Sequence, residues 1–237
     1  MKIIDVSSHQ GKVSKIDWQK VKSSGVYGVM IRAGYGQGNI DSDFEYNIKE
    51  CNKYGIPCGV YWFSYAKNAQ DAIREANYCL NAIAPYRVEL PVAYDFEYES
   101  EQGRTFDKVS RTSLVYAFCC QIQAAGYYSM VYTNGDYMKN RFGDISPFDI
   151  WYAAWQNNPN LTKAPVDCGI WQWGSSKVNG IVGDVDTNEC YRNYPSIIRS
   201  AGLNHLAEKE PEKPMTAEEK LDKILAELTE WKTGGKQ

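Results

Sequence analysis

The chain has 237 residues, 43% hydrophobic and 23% charged, with a net charge of −3, a composition ordinary for a water-soluble globular chain of one large or two small domains. The acidic balance disfavours nucleic acid as a partner, and no apolar run approaches the ~20 residues that cross a bilayer. The opening Met1-Lys-Ile-Ile-Asp5 turns polar too early for a signal peptide, which predicts synthesis in the cytoplasm and exit by another route.

In chain order, residues 2–7 read as a short strand that carries Asp5 and ends in Ser7-Ser-His-Gln-Gly11. A short helix at 17–22 follows, then an apolar strand at 27–33 that ends near Arg32. The loop Gly34-Tyr-Gly-Gln-Gly38 holds no GxGxxG or GKT/GKS pattern, so no phosphate cradle is expected. Residues 41–54 read as a helix closed by Gly55 and Pro57, and residues 58–64 as a third strand. The spacing of Ala69, Ala72, Ile73, Ala76, Leu80 and Ile83 predicts an amphipathic helix over 68–83.

The fourth strand opens at Leu90-Pro-Val-Ala93 and carries Asp95 and Glu97 at its end. Two positions apart in an extended segment, these carboxylates point to the same side, with Cα atoms about 6.6 Å apart. Asp107 is placed to cap a helix running to about residue 125. Strands at 128–133 and 149–155 flank a short helix near 136–142. The stretch 156–167 reads as loop. A strand at 169–173, a hairpin-like turn with Ser175, Ser176, Asn179 and Gly180, a strand at 181–186 and a helical turn at 194–201 complete the pattern.

Five alternations of strand and helix, then three strands with little helix between them, predict a parallel sheet covered by helices. Eight such strands suggest a closed β/α barrel, irregular in its last third. In such barrels the chemistry lies at the C-terminal strand ends. Three separate strands deliver a carboxylate there: Asp5, Asp95 with Glu97, and Asp186. Arg32, Trp62, Tyr132, Trp155 and Gln172 come at comparable positions, and Tyr61, Tyr65 and Trp171 join them as candidates to line a groove. Aromatics make up 14% of the chain and offer the flat, half-polar surfaces on which sugars stack.

Seven cysteines without a CxxC pair indicate neither a zinc site nor a disulfide framework. They read as mostly reduced, with a Cys51–Cys58 bridge left open. His9 and His205 are too far apart in sequence to suggest a metal, and His9 reads as a bystander. No cofactor is expected.

Several of these segments together resemble glycoside hydrolase family 25, the Chalaropsis-type muramidases that include many phage endolysins. They are Asp5-Val-Ser-Ser-His-Gln-Gly11 with Asp17-Trp18, Ala93-Tyr-Asp-Phe-Glu97, Tyr132-Thr-Asn134, Trp171-Gln-Trp173 and Asp184-Val-Asp-Thr-Asn188. The resemblance covers about residues 1–200 and implies an irregular TIM-like (β/α)5(β)3 barrel. It implies hydrolysis of the β-1,4 bond between N-acetylmuramic acid and N-acetylglucosamine in peptidoglycan. It assigns Glu97 as general acid, Asp95 as nucleophile or as stabiliser of acetamido participation, and Asp5 and Asp186 as supporting aspartates. As an endolysin the chain would reach the wall through a holin-like pore or on lysis. A chitinase-like glycosidase is the alternative within enzymes, although the longer DxxDxDxE pattern fails at Ala93. A catalytically inactive glycan-binding barrel is the alternative outside them.

Beyond the barrel of residues 1–203 the composition changes. Residues 204–215 read as a charged, Pro-containing linker. Thr216-Ala-Glu-Glu219 is a capping box that opens an amphipathic helix over 216–232, with Leu221, Ile224, Leu225, Leu228 and Trp231 on one face. That stripe suggests homo-oligomerisation through a short coil, with docking on the barrel as the alternative.

Overall fold

The structure, a computed structural model, describes residues 1–155 and 164–206. The expected helix at 216–232 and all but the first three residues of the expected linker lie outside the described residues.

Nine strands are present among the described residues: β1 (Lys2–Val6), β2 (Gly28–Tyr35), β3 (Asn39–Ile40), β4 (Cys58–Phe63), β5 (Val92–Asp95), β6 (Ser129–Asn134), β7 (Asp149–Ala153), β8 (Ile170–Lys177) and β9 (Asp184–Cys190). Eight of them form a closed ring in the order β1-β2-β4-β5-β6-β7-β8-β9, and β9 pairs back onto β1. The two-residue β3 hangs from the end of β2. All pairings from β1 through β8 around the ring are parallel. The helices are α1 (Trp18–Ser23), α2 (Phe44–Lys53), α3 (Ala69–Ile83), α4 (Tyr98–Glu101), α5 (Lys108–Ala124) and α6 (Tyr194–Ser200), with a π-helical turn at Tyr137–Arg141. Five strand–helix units followed by three strands make the (β/α)5(β)3 arrangement.

The helices begin where the sequence supplies a cap. Asp17 accepts from the Lys20 amide at 3.1 Å, Asn68 from Asp71 at 3.0 Å and Asp107 from Ser110 at 2.6 Å, each satisfying a first-turn N–H that the helix itself leaves unpaired. Helix α2 starts later than expected, at Phe44, because the Asp41 carboxylate is taken by the Ser8 and Asp43 amides and by Arg32.

The period-two alternation of the strands divides the core into two layers. Ile3, Met30, Ala93, Met130, Trp151, Ile170 and Cys190 pack inside the barrel, with Tyr194 and Ile198 of α6 among them. Ile4, Val29, Val60, Val92, Val131 and Trp171 face outward, in the layer that also holds Ala72, Ala76, Cys79 and Ile83 of α3 and Leu114, Phe118 and Ile122 of α5. Each such aliphatic side chain contributes about 1.5–3 kcal/mol by leaving water. The Tyr194 hydroxyl donates to Asp149 at the start of β7, so α6 closes the end of the barrel at which the parallel strands begin. Asn204, expected in the linker, belongs to this floor: it donates to the Val88 and Leu90 carbonyls and accepts from the Tyr128 amide.

The last strand follows a hairpin, as the turn residues predict, but starts later than expected. In place of a strand at 181–186, residues 178–183 form a turn and β9 runs antiparallel to both neighbours. A turn of six residues cannot carry the crossover of a dozen or more that a parallel return needs. Asp186 therefore lies near the beginning of its strand, and the reversal brings it to the same rim as the ends of the others. All seven cysteines are free thiols, six of them buried and Cys120 exposed.

Candidate active site

The acidic pair is set by how β5 ends. Tyr94 and Phe96 are buried on the outer side and stack at 6.1 Å with an 11° interplanar angle. Phe96 also meets Phe106 and Tyr137 edge-on. With these rings anchored outward, Asp95 and Glu97 turn inward together, and both line the cleft at the mouth of the barrel. The Glu97 amide donates to Ser100 Oγ at 3.0 Å, which opens α4. That short helix is held from below: Glu101 is buried, accepts from Arg111 at 2.8 and 3.2 Å, and accepts from the Tyr137 hydroxyl at 2.9 Å.

Across the cleft, Asp5 and Asp186 are direct partners in the antiparallel β1–β9 pairing. Asp5 Oδ2 receives Asn188 Nδ2 at 2.9 Å and Gln172 Nε2 at 3.1 Å. Asn188 in turn accepts from Trp151 Nε1 at 2.7 Å. Gln172 Oε1 accepts from the Tyr132 hydroxyl and from Trp155 Nε1, both at 3.0 Å. Arg32 lines the cleft, but its charge is met by the buried Asp41, 2.7 Å away, and it also donates to Ser8 Oγ.

Four carboxyl groups thus share a cleft of about 210 Å³ in which the Arg32 cation already has a counter-ion. Burial pushes the Asp5 carboxyl up to about 7, helped by Asp186 and restrained by the amides of Asn188 and Gln172. Burial, then Glu97 and Asp5, hold Asp95 well above the usual carboxylate range, with Arg32 opposing. Asp95 Oδ1 is buried without a hydrogen-bond partner among the described residues. Burial, then the charges of Glu99 and Asp186, raise Glu97 to about 7, against hydrogen bonding with Asp95. Burial raises Asp186 as well. A half-buried carboxyl that keeps its proton near neutrality, beside others competing for charge, is the arrangement of a general acid. Among the described residues no group of three or more His, Cys, Asp or Glu is arranged to hold a metal ion.

A second, wider cleft of about 640 Å³ continues from this one through the shared residues His9, Arg32 and Phe63, and is walled by Tyr35, Ile40, Tyr65 and Glu99. Acids at the centre and aromatic rings alongside make a groove suited to a polymer of sugars.

Residues 4–181 match the model of glycosyl hydrolases family 25. The chain belongs to that family. It is 30% identical over 191 residues to the autolytic lysozyme of Clostridium acetobutylicum, covering 80% of this chain and 55% of that protein. It is 27% identical over 201 residues to lysozyme M1 of Streptomyces globisporus, covering 78% and 66%. The chain thus spans only about half to two thirds of these relatives. Among solved structures it is similar to the modular autolysin LytC of Streptococcus pneumoniae, determined in complex with a synthetic peptidoglycan ligand, with 33% identity and a TM-score of 0.68 over 79% of this chain and 46% of that one. It shares its fold with a lysozyme of Streptomyces coelicolor at a TM-score of 0.69 and 23% identity, covering 87% and 98%. The family match ends before β9; the β1–β9 pairing sets Asp186 opposite Asp5 and brings Asn188 to it.

In this family 25 barrel the four acids, Arg32, Tyr61, Tyr132 and Gln172 all line the cleft. Tyr65 lines the adjoining one. Trp155 stands just past the end of β7 and is 60% exposed. Two groove candidates are corrected. Trp62 is fully buried behind the sheet, stacked on Tyr78, with Nε1 donating to the Gly36 carbonyl. Trp171 is buried on the outer side and donates to the Ala154 carbonyl. Adjacent residues on a strand point to opposite faces. If Tyr61 and Gln172 face inward, Trp62 and Trp171 cannot. Sequence reasoning misses Phe63 and Trp151, although counting by twos from Tyr61 reaches Phe63. His9 lines both clefts.

Proposed function

We propose that this chain is a lysozyme of the N-acetylmuramidase type, cleaving the β-1,4 bond between N-acetylmuramic acid and N-acetylglucosamine in the glycan strands of bacterial peptidoglycan. The observation that carries this reading is the half-buried Glu97, held protonated to about pH 7 in one cleft with Asp5, Asp95 and Asp186. Family membership and the lysozyme names of the relatives support the substrate class. The place of action is the bacterial cell wall.

In this mechanism Glu97 gives its proton to the glycosidic oxygen as the C1–O bond breaks. Asp95 lies two residues before Glu97 and reaches the sugar from the same strand. That placement suits support of the substrate's own 2-acetamido group better than attack from the opposite face. The acetamido oxygen then bonds to C1, and Asp95 accepts from its N–H. Water afterwards opens this ring, giving a proton to the Glu97 carboxylate. The ionised members of the acid cluster stabilise positive charge that develops at C1.

The test is the clearing of purified walls by the wild type and by Glu97→Gln, with analysis of the new reducing ends. Muramic acid ends from the wild type alone are expected. Cleavage of chitin in place of walls would transfer the reading to a chitinase-like enzyme, and binding without cleavage would make the barrel a glycan-binding module.

A further inference from the structure

Gln172 lines the cleft, yet its amide is directed at protein atoms rather than at a ligand. It is 4% exposed. The Trp155 indole N–H can only donate, so the oxygen of the Gln172 amide must face it. That oxygen also receives the Tyr132 hydroxyl, which fills both lone pairs. The nitrogen is thereby turned toward Asp5 Oδ2. One planar group therefore spans from the exposed indole at the rim to the buried carboxylate on β1.

We propose that Gln172 is a positioning residue which holds the Trp155 ring as a stacking platform for the glycan and, through the same amide, holds the charge on Asp5. This deepens the lysozyme reading and rests on it for the identity of the glycan. It separates two effects. The oxygen side governs Trp155 and hence binding. The nitrogen side governs Asp5 and hence the protonation of the acid cluster. Asp186 on β9 and Glu97 at the end of β5 raise Asp5, and the amides of Asn188 on β9 and Gln172 on β8 lower it; Asp5 in turn raises Asp95 at the end of β5, Tyr61 on β4 and Tyr132 on β6, while Arg32 on β2 acts on Asp95 and Tyr61 within the same cluster. Asn188 is the other donor to Oδ2, at 2.9 Å, so loss of the Gln172 N–H removes one of the two bonds to that oxygen.

Gln172→Glu divides the two sides. Its carboxylate still accepts from Trp155 and Tyr132 but offers Asp5 no N–H, and it adds a like charge. Trp155→Phe removes only the rim contact. The experiment follows the Asp5 carboxyl by carbon NMR across pH in wild type and both variants, assigned with Asp5→Asn, and measures kcat and KM on soluble peptidoglycan fragments. For Gln172→Glu, the Asp5 midpoint should rise by about one unit or more and KM should stay near wild type. Its kcat should recover toward low pH, where the introduced carboxyl takes up a proton and donates again. For Trp155→Phe, KM should rise roughly three- to tenfold with the Asp5 midpoint unmoved. Melting temperatures confirm that each variant is folded.

An unmoved Asp5 midpoint in folded Gln172→Glu overturns the carboxylate half of the proposal, and an unchanged KM in Trp155→Phe overturns the rim half. The NMR titration needs no substrate. A wild type that cuts no wall would therefore refute the lysozyme reading, while the Gln172–Asp5 link stands or falls on the titration alone.

Discussion

Asp5 and Asp186 stand directly opposite one another across the antiparallel pair that closes the barrel. Like charges in that relationship destabilise a sheet, and here both carboxyls are raised. A carboxyl raised in the folded state contributes stability below its unfolded value, near 3.8, and loses it as pH climbs through its folded value, about 7 for Asp5. Asp186→Asn should lower the Asp5 midpoint and raise the melting temperature at pH 8. The gain should vanish below about pH 4. Melting curves of both proteins across this pH range check it.

Glu97 should control the basic limb of activity. Its raised carboxyl loses the catalytic proton above about pH 7, so wall clearing should fall there. Glu97→Gln should reduce turnover by about 10²–10⁴-fold below pH 7, a gap that narrows at higher pH as the wild type loses its proton. It should also stabilise the barrel at pH 8, where the native glutamate is ionised in a desolvating site, by at most on the order of 3 kcal/mol. Denaturant titrations at pH 4 and pH 8 measure this difference, and no gain is expected at pH 4.

The helix that follows Glu97 depends on the buried Glu101–Arg111 pair. Removing Arg111 leaves Glu101 with the Tyr137 hydroxyl and with Arg141 3.7 Å away, so the loss falls at the low end of what a stranded buried charge costs, about 3 kcal/mol. Arg111→Ala should therefore lower stability by that amount in urea unfolding. Arg111→Met with Glu101→Leu should recover most of it, because the pair is removed whole.

Trp62 tests the division between the two faces of β4. Its ring is fully buried and its N–H holds the Gly36 carbonyl at 3.1 Å. Trp62→Phe should cost about 1–2 kcal/mol through the lost bond and volume. KM for glycan fragments should stay unchanged, since the ring lies behind the sheet. A raised KM would place Trp62 in the groove after all.

The sequence by itself determined the local pieces. Apolar runs bounded by Gly and Pro located seven of the eight ring strands to within a few residues. Asp17, Asn68 and Asp107 announced their helices because a capping side chain acts within three residues of itself. Asp95 and Glu97 were legible as one acidic face because the period of a strand is two. Only the tertiary structure decided the rest. Which of Tyr61 and Trp62 faces the barrel depends on which side of the sheet becomes the interior, and both sides here are apolar. The short turn before β9 sets its direction, but only ring closure puts Asp186 opposite Asp5. The partners of Asp5 lie 167 and 183 residues away along the chain. Their approach is set by pairing of distant strands, a relation that no local pattern of side chains encodes.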